Sequence, residues 1–397
     1  MARQHLERAV LAGVIFVTLL AQVLLYPGVP DIVAGLGATT DLDASMWFLA
    51  AEFGAFIVFA GFWGYLSDRT GRRIPYIALG AGIAAVCYFT LVLGGLFGSF
   101  SFETIILIRV IQGAGSIAAF SLAMTMLMDL EGGHGQNMGA AGIAIGLGTA
   151  FGAPSGGVLT GIDPLAPLVV AGFLFTLILP ILGLLSDRAI RRDGSTVVAV
   201  LHDLRRHPGL GVPYAFGFID RMTAGTFSLV GVFFFRDAFG LDAAQTGMML
   251  FLFFGPFALL QYPFGRLSDR IGRFLPVVGG SICYGTMVMA FGQTPSLLLA
   301  GGLLLIVGVF GAIVSPATMA LVTDIAPNTR HGTAMAGFNI AGSLGFLTGI
   351  LLGGGVASVY GNATAFAVIG AAEIAIALIV FPIFRRITPD IRPPAGP

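Results

Sequence analysis

The sequence predicts an all-α integral membrane protein, with twelve transmembrane helices in two pseudo-symmetric six-helix halves. Three observations carry this expectation. The first is composition: 56% of the 397 residues are hydrophobic, 10% are charged and the mean hydropathy is +0.94, whereas soluble domains carry about 25% charge. Next, short polar breaks divide the chain into twelve apolar runs of about the 20 residues that a spanning helix needs. Membrane strands would alternate instead. Last, Gly64 to Pro75, GYLSDRTGRRIP, returns as Gly265 to Pro276, GRLSDRIGRFLP, at a constant offset of 201 residues (265 less 64). The chain is therefore a duplication.

In order, the first span is expected from about Ala9 to Val29, its outer end marked by Pro27 and Pro30. An acidic outer loop with Asp31, Asp41 and Asp43 follows. The second span, about Met46 to Leu66, delivers the repeated motif as a polar turn, and spans three to six fall near 75–97, 104–128, 138–160 and 168–185. Residues 186–210 form a polar insertion with five arginines, and the later spans fall near 211–235, 246–264, 275–293, 297–322, 333–355 and 365–384. The expected organisation is an N-terminal half over 1–185, a central cytoplasmic loop over 186–210, a C-terminal half over 211–384 and a proline-rich cytoplasmic tail over 385–397. The first run has no convincing small-residue cleavage site and leads into further spans, so it is expected to be a span and not a removed leader.

Charge supplies the orientation. All 20 basic residues are arginine. Setting aside Arg236, on the opposite side, and Arg109 and Arg221, within spans, 17 of the 20 fall on the side of the termini and the repeated turns. Cytoplasmic loops retain positive charge, so both termini are expected in the cytoplasm of a cell-membrane protein. The absence of lysine excludes a P-loop ATPase and Schiff-base chemistry, so energy is expected to come from elsewhere, such as an ion gradient. Cys87 and Cys283 sit in apolar runs as small hydrophobes. All five histidines lie in the segments assigned to the cytoplasm, so no metal site is expected within the spans.

The repeated turn carries the pattern Gly-x-Leu-Ser-Asp-Arg-x-Gly-Arg-Arg, and on those residues the chain resembles the major facilitator superfamily, whose signature loop joins helices 2 and 3. The resemblance implies a conformational latch of Gly64, Asp68, Arg69, Gly71, Arg72 and Arg73, with Asp68 near Gly332 and Thr333 and with Asp129 joining the charge network. The second copy contributes Asp269, Arg270 and Arg273, but has Phe274 in place of the last arginine and is expected to tolerate substitution better. Glycine at 64 and 71 suits tight turns, and Asp68 suits a helix N-cap.

Two further motifs extend the likeness. Arg109 to Gly113, RVIQG, is similar to the family's helix-4 motif; an arginine inside a span needs a partner or an aqueous cavity, unless it snorkels to the outer surface. Gly139, Gly148, Gly152, Gly156 and Gly157 keep the spacing of the antiporter motif of helix 5, although Pro154 stands one residue later than that motif has it. Gly148, Gly152 and Gly156 make a bare ridge for close helix approach, and Gly345, Gly349 and Gly353 repeat it at an offset of 197 (345 less 148).

Proton-coupling candidates are Asp220, Arg109 and Glu52, where Glu52 has interfacial exposure as its alternative and Asp220 a salt bridge between helices. The resemblance implies a cavity lined by helices 1, 4, 7 and 10, which favours Asp220, places Arg109 across from it and leaves Glu373 on a peripheral helix. Gln22, Tyr26, Phe227, Gln261 and Asn339 are candidates for substrate contact. The expected function is secondary active transport, as proton-coupled efflux of a small amphipathic or lipophilic compound; the alternative is a proton-coupled symporter or a uniporter of a metabolite. No enzyme activity, cofactor or nucleic-acid partner is expected. The expected partners are the lipid bilayer, protons and the small-molecule substrate, and the expected state is a monomer.

Overall fold

The computed structural model describes residues 2–38, 41–98, 100–130, 134–187, 197–327 and 330–387. The described residues are almost wholly helical. We label the helices α1 (Ala2–Val23), α2 (Leu42–Thr70), α3 (Ile74–Phe97), α4 (Phe102–Asp129), α5 (His134–Ile162) and α6 (Ala166–Ile181), then α7 (Pro208–Phe239), α8 (Ala243–Ile271), α9 (Leu275–Phe291), α10 (Leu297–Ile325), α11 (His331–Tyr360) and α12 (Asn362–Ile387). Eleven are long and apolar enough to cross a bilayer, and α9 is a shorter apolar helix. Exposed Val58, Leu96, Leu298 and Ile379 are among the large apolar side chains that face outward, a pattern that suits lipid rather than water.

Local chemistry sets the ends. Ser101 and Ser296 cap α4 and α10 through their side chains, each 3.4 Å from the backbone nitrogen three residues on. α2 stops where Gly71 takes a left-handed φ of 67°, and α8 stops at Gly272 with φ 85°. The repeated motif is thus mostly helix: α2 runs on to Thr70, and the turn is confined to Gly71 and its neighbours. Gly64 lies within that helix and makes no tight turn, and Asp68 sits in its last turns instead of at an N-cap. α1 also differs from expectation. It ends at Val23 and a short helix, Val29–Gly35, follows, because Pro27 and Pro30 lack the N–H that continuation needs. Within the 186–210 insertion, residues Val197–Arg206 are helical, and Asp203 there pairs with Arg330 ahead of α11.

The chain forms two compact units, 1–194 with 241–251 and 195–240 with 252–397. Within the first, α1 packs on α4, α5 and α6, while α3 packs on α4 and α6; within the second, α7 packs on α10, α11 and α12, while α9 packs on α10 and α12. One scheme is used twice. The glycine ridges explain part of it, since Gly148, Gly152 and Gly156 lie against the α1 backbone from Phe16 to Leu24, and Gly345 and Gly349 lie against Phe218 and Met222 of α7. A Cβ on Gly148 would stand 2.9 Å from the Phe16 carbonyl oxygen, whereas one on Gly139 would meet nothing within 4 Å. Gly148→Ala is therefore expected to cost about 1–3 kcal/mol by forcing α1 and α5 apart, and Gly139→Ala to be neutral or slightly stabilising. Thermal unfolding in detergent compares them; equal midpoints would remove the ridge from the packing account.

Candidate functional site

The first unit holds a buried polar network built on the Arg-x-x-Gln-Gly motif. Residues three apart share a helix face, so Arg109 Nη1 donates to Gln112 Oε1 at 2.5 Å. The glycine that follows has its own purpose: a Cβ on Gly113 would stand 2.8 Å from the Glu52 carbonyl oxygen, so its absence lets α2 and α4 close on each other. Glu52 then reaches Arg109 Nη2 in an ion pair. Arg109 Nε donates to the Phe48 carbonyl at 3.3 Å, and the guanidinium lies 4.3 Å from the Phe48 ring centre. Gln112 Nε2 faces three acceptors, Ser116 Oγ at 2.6 Å, Tyr88 Oη at 3.1 Å and Glu52 Oε1 at 3.2 Å. Arg109 and Glu52 are fully buried. Neither snorkelling of Arg109 nor interfacial exposure of Glu52 survives this geometry.

The signature turn is also an ion-pair network. Arg73 is 2% exposed; its Nη1 lies 2.6 Å from Asp129 and its Nη2 3.9 Å from Asp68. Its backbone N–H donates to the Asp187 carboxylate at 3.0 and 3.1 Å, so the acid that caps α3 comes from beyond α6. Arg69 and Arg72 are exposed. In the second copy Arg273 takes the corresponding part, 2.6 Å from Asp269 and 2.8 Å from Asp324, with Ser268 Oγ at 2.6 Å. Burial disfavours the charge of Arg273, but its bonds to Asp324 and Asp269 prevail and raise its pKa above the ordinary arginine value. Phe274, where Arg73 would recur, packs on Phe381 and Phe384 instead, with ring centres 5.5 and 5.4 Å apart. The copy thus keeps an arginine between two acids, at 273 instead of 274. Arg270 is exposed.

Asp220 is buried on α7, and its Oδ1 has no hydrogen-bond partner among the described residues. No salt bridge to Asp220 appears among those residues. Arg221, the next residue, lies along Gly342 of α11. Of the substrate candidates, Gln22 and Tyr26 are buried, Tyr26 in the break after α1; Gln261 is half-buried and Asn339 exposed. Phe227 is core: its ring centre lies 5.1, 5.1 and 5.0 Å from those of Phe253, Phe291 and Phe366. Pro154 lies within an unbroken α5. Cys87 and Cys283 are free thiols.

Asp187, Tyr88, Tyr284, Asp324 and the central role of Gln112 escape a reading centred on the duplicated turn. Two signals were available. Leu185 to Arg188 is a third Leu-Ser-Asp-Arg, and Cys-Tyr-x-Thr at 87–90 returns at 283–286, an offset of 196 (283 less 87).

A duplicated sequence, ion-paired turns and a buried charge network inside apolar spans describe a multi-pass membrane protein. The family model for the Major Facilitator Superfamily matches residues 11–219 and 214–396, and the chain belongs to that superfamily. It is 33% identical to an uncharacterized MFS-type transporter of Methanocaldococcus jannaschii, over 39% of this chain and 42% of that protein. It is 28% identical to the class G tetracycline resistance protein of Vibrio anguillarum, over 73% of this chain and 76% of that protein. A multidrug resistance protein of Rahnella sp. is 25% identical over 88% and 87%. Among solved structures, a bacterial homolog of the human lysosomal transporter Spinster aligns over 99% of each chain, with a TM-score of 0.78 and 15% identity, which shows a shared fold. The relatives and the fold are those of transporters rather than enzymes.

Proposed function

We propose that the protein is a proton-driven exporter of small amphipathic or lipophilic compounds, working by alternating access in the cell membrane with both termini cytoplasmic. The observation that carries the reading is Asp220, a buried carboxyl on α7 with no ion pair among the described residues, while Arg109 is taken up by Glu52. A carboxyl so placed is stable in an apolar interior when it binds a proton, and a substrate that competes for it couples the two movements. The names of two relatives, tetracycline resistance and multidrug resistance proteins, support export of such compounds.

Proteoliposomes test this. Tetracycline added under an imposed pH gradient is expected to move against protons, dissipating the gradient. Asp220→Asn should abolish uphill accumulation and keep exchange of preloaded tetracycline. Uphill transport with a normal pH profile in Asp220→Asn would move the assignment to Glu52, and movement of substrate together with protons would favour symport.

Orientation is tested separately, in a background without Cys87 and Cys283. Ser186→Cys is expected to react with an impermeant thiol reagent only from the cytoplasm, and Asp41→Cys only from outside. The reverse pattern on intact cells would invert the topology.

A further inference from the structure

The two units balance their buried charge differently. In the first, Glu52 is matched by Arg109. In the second, Asp220 on α7 and Glu373 on α12 are both buried; Asp220 Oδ1 lacks a hydrogen-bond partner among the described residues, while Glu373 is met by the hydroxyls of Thr223 and Ser281. Thr223 links them. It follows Asp220 by three residues and so shares its face of α7, and its Oγ1 lies 3.3 Å from Glu373 Oε2. Ile219 and Met222 pack on Ile369 beside this contact.

Glu373 does not sit on a lipid-facing surface, despite its place on a helix expected to be peripheral. α9 covers it: a Cβ on Gly285 would stand 3.0 Å from Glu373 Cβ and 2.6 Å from the Gly370 carbonyl oxygen. Tyr284, the repeat of Tyr88, is buried on the same helix and lies within the field of both acids. In the first unit α6 offers Tyr88 the apolar ring of Phe175, with ring centres 5.8 Å apart; in the second α12 brings a carboxyl. The charged or titratable groups that bear on the pair are Arg221 from α7 and Tyr284 from α9, and among the described residues α10 and α11 bring none.

Two neighbouring carboxyls without a bonded cation do not both stay ionised in an apolar interior, and one proton shared between them removes the repulsion. We propose that Asp220 and Glu373 form one proton-binding site, in which Glu373 is the second carboxyl and the pair binds and releases a single proton as a unit. Its use in transport rests on the proton-driven reading above; its binding of a proton does not.

Infrared difference spectra of the purified protein, acid against alkaline, test the pair directly. The wild type is expected to show a protonated carboxyl signal whose titration midpoint moves by at least one pH unit in Asp220→Asn and in Glu373→Gln alike. Thr223→Val, which keeps both acids and the side-chain shape, should also displace the band. An Asp220 signal unchanged by Glu373→Gln would overturn the proposal, as would single-variant spectra that sum to the wild type. Should Glu373→Gln not fold, Thr223→Val decides, and an unmoved band and midpoint there rejects the pair. A coupled signal in a wild type that moves no protons with tetracycline would reject the export reading and leave the pair standing.

Discussion

Glu52→Gln is expected to lower the thermal midpoint in detergent by roughly 10 °C or more, a drop that matches about 3–5 kcal/mol for breaking one side of a buried ion pair in a unit of this size. The substitution keeps the shape of the side chain but leaves Arg109 fully buried with its charge unmatched. A guanidinium does not shed its proton in a protein. Arg109→Gln is the informative contrast, because the acid it strands can take up a proton and become neutral. Arg109→Gln should therefore lose less than Glu52→Gln. The double variant, with neither charge, is expected to recover a large part of the loss, since buried pairs replaced as a pair are often near neutral. Wild-type melting of Glu52→Gln would show that the pair does not hold α2 to α4.

The class of protein was legible because its signals are long. Apolar runs of spanning length and a twelve-residue repeat survive any error of a few residues in the boundaries. Helix ends were less so: the motif from Gly64 to Pro75 looks like a loop because it is charged, yet nothing in GYLSDRT breaks a helix before Gly71 takes its left-handed φ. Charge measures solvation, not backbone conformation.

Partner choice was not legible. Arg109 had two acids to choose between, Glu52 and Asp220, and periodicity does not tell how two apolar helices are rotated about their own axes. That rotation is set where backbones touch, at Gly113 against Glu52 in the first unit and at Gly285 against Gly370 in the second. The first contact gives Arg109 to Glu52, and the second turns Glu373 into an interface. Phe227 misled for the same reason, since an aromatic residue on an apolar helix is compatible with a cavity or a core, and only the rings of Phe253, Phe291 and Phe366 around it decide for core.

Arg73→Ala is expected to reduce the initial rate of transport in proteoliposomes roughly tenfold or more, the equivalent of about 1.4 kcal/mol or above. Arg273→Ala should stay within about threefold of the wild type, because one of its two pairs, that to Asp269, is exposed and such pairs contribute little net. Each arginine stands between two acids, but the settings differ. Arg73 is 2% exposed and bonded to a largely buried Asp129, whereas Asp269, beside Arg273, is 61% exposed. Water and salt screen the second network far more than the first. The distances also rank the acids: Asp129, at 2.6 Å, holds Arg73 more tightly than Asp68 does at 3.9 Å. Asp129→Asn should thus reproduce most of the Arg73→Ala defect, and raising the salt should weaken the Arg273 network while leaving that of Arg73 largely intact. Binding of substrate in detergent should change little in any of these variants if the network acts on conformational exchange. Equal and mild losses at Arg73 and Arg273 would reduce both turns to markers of topology.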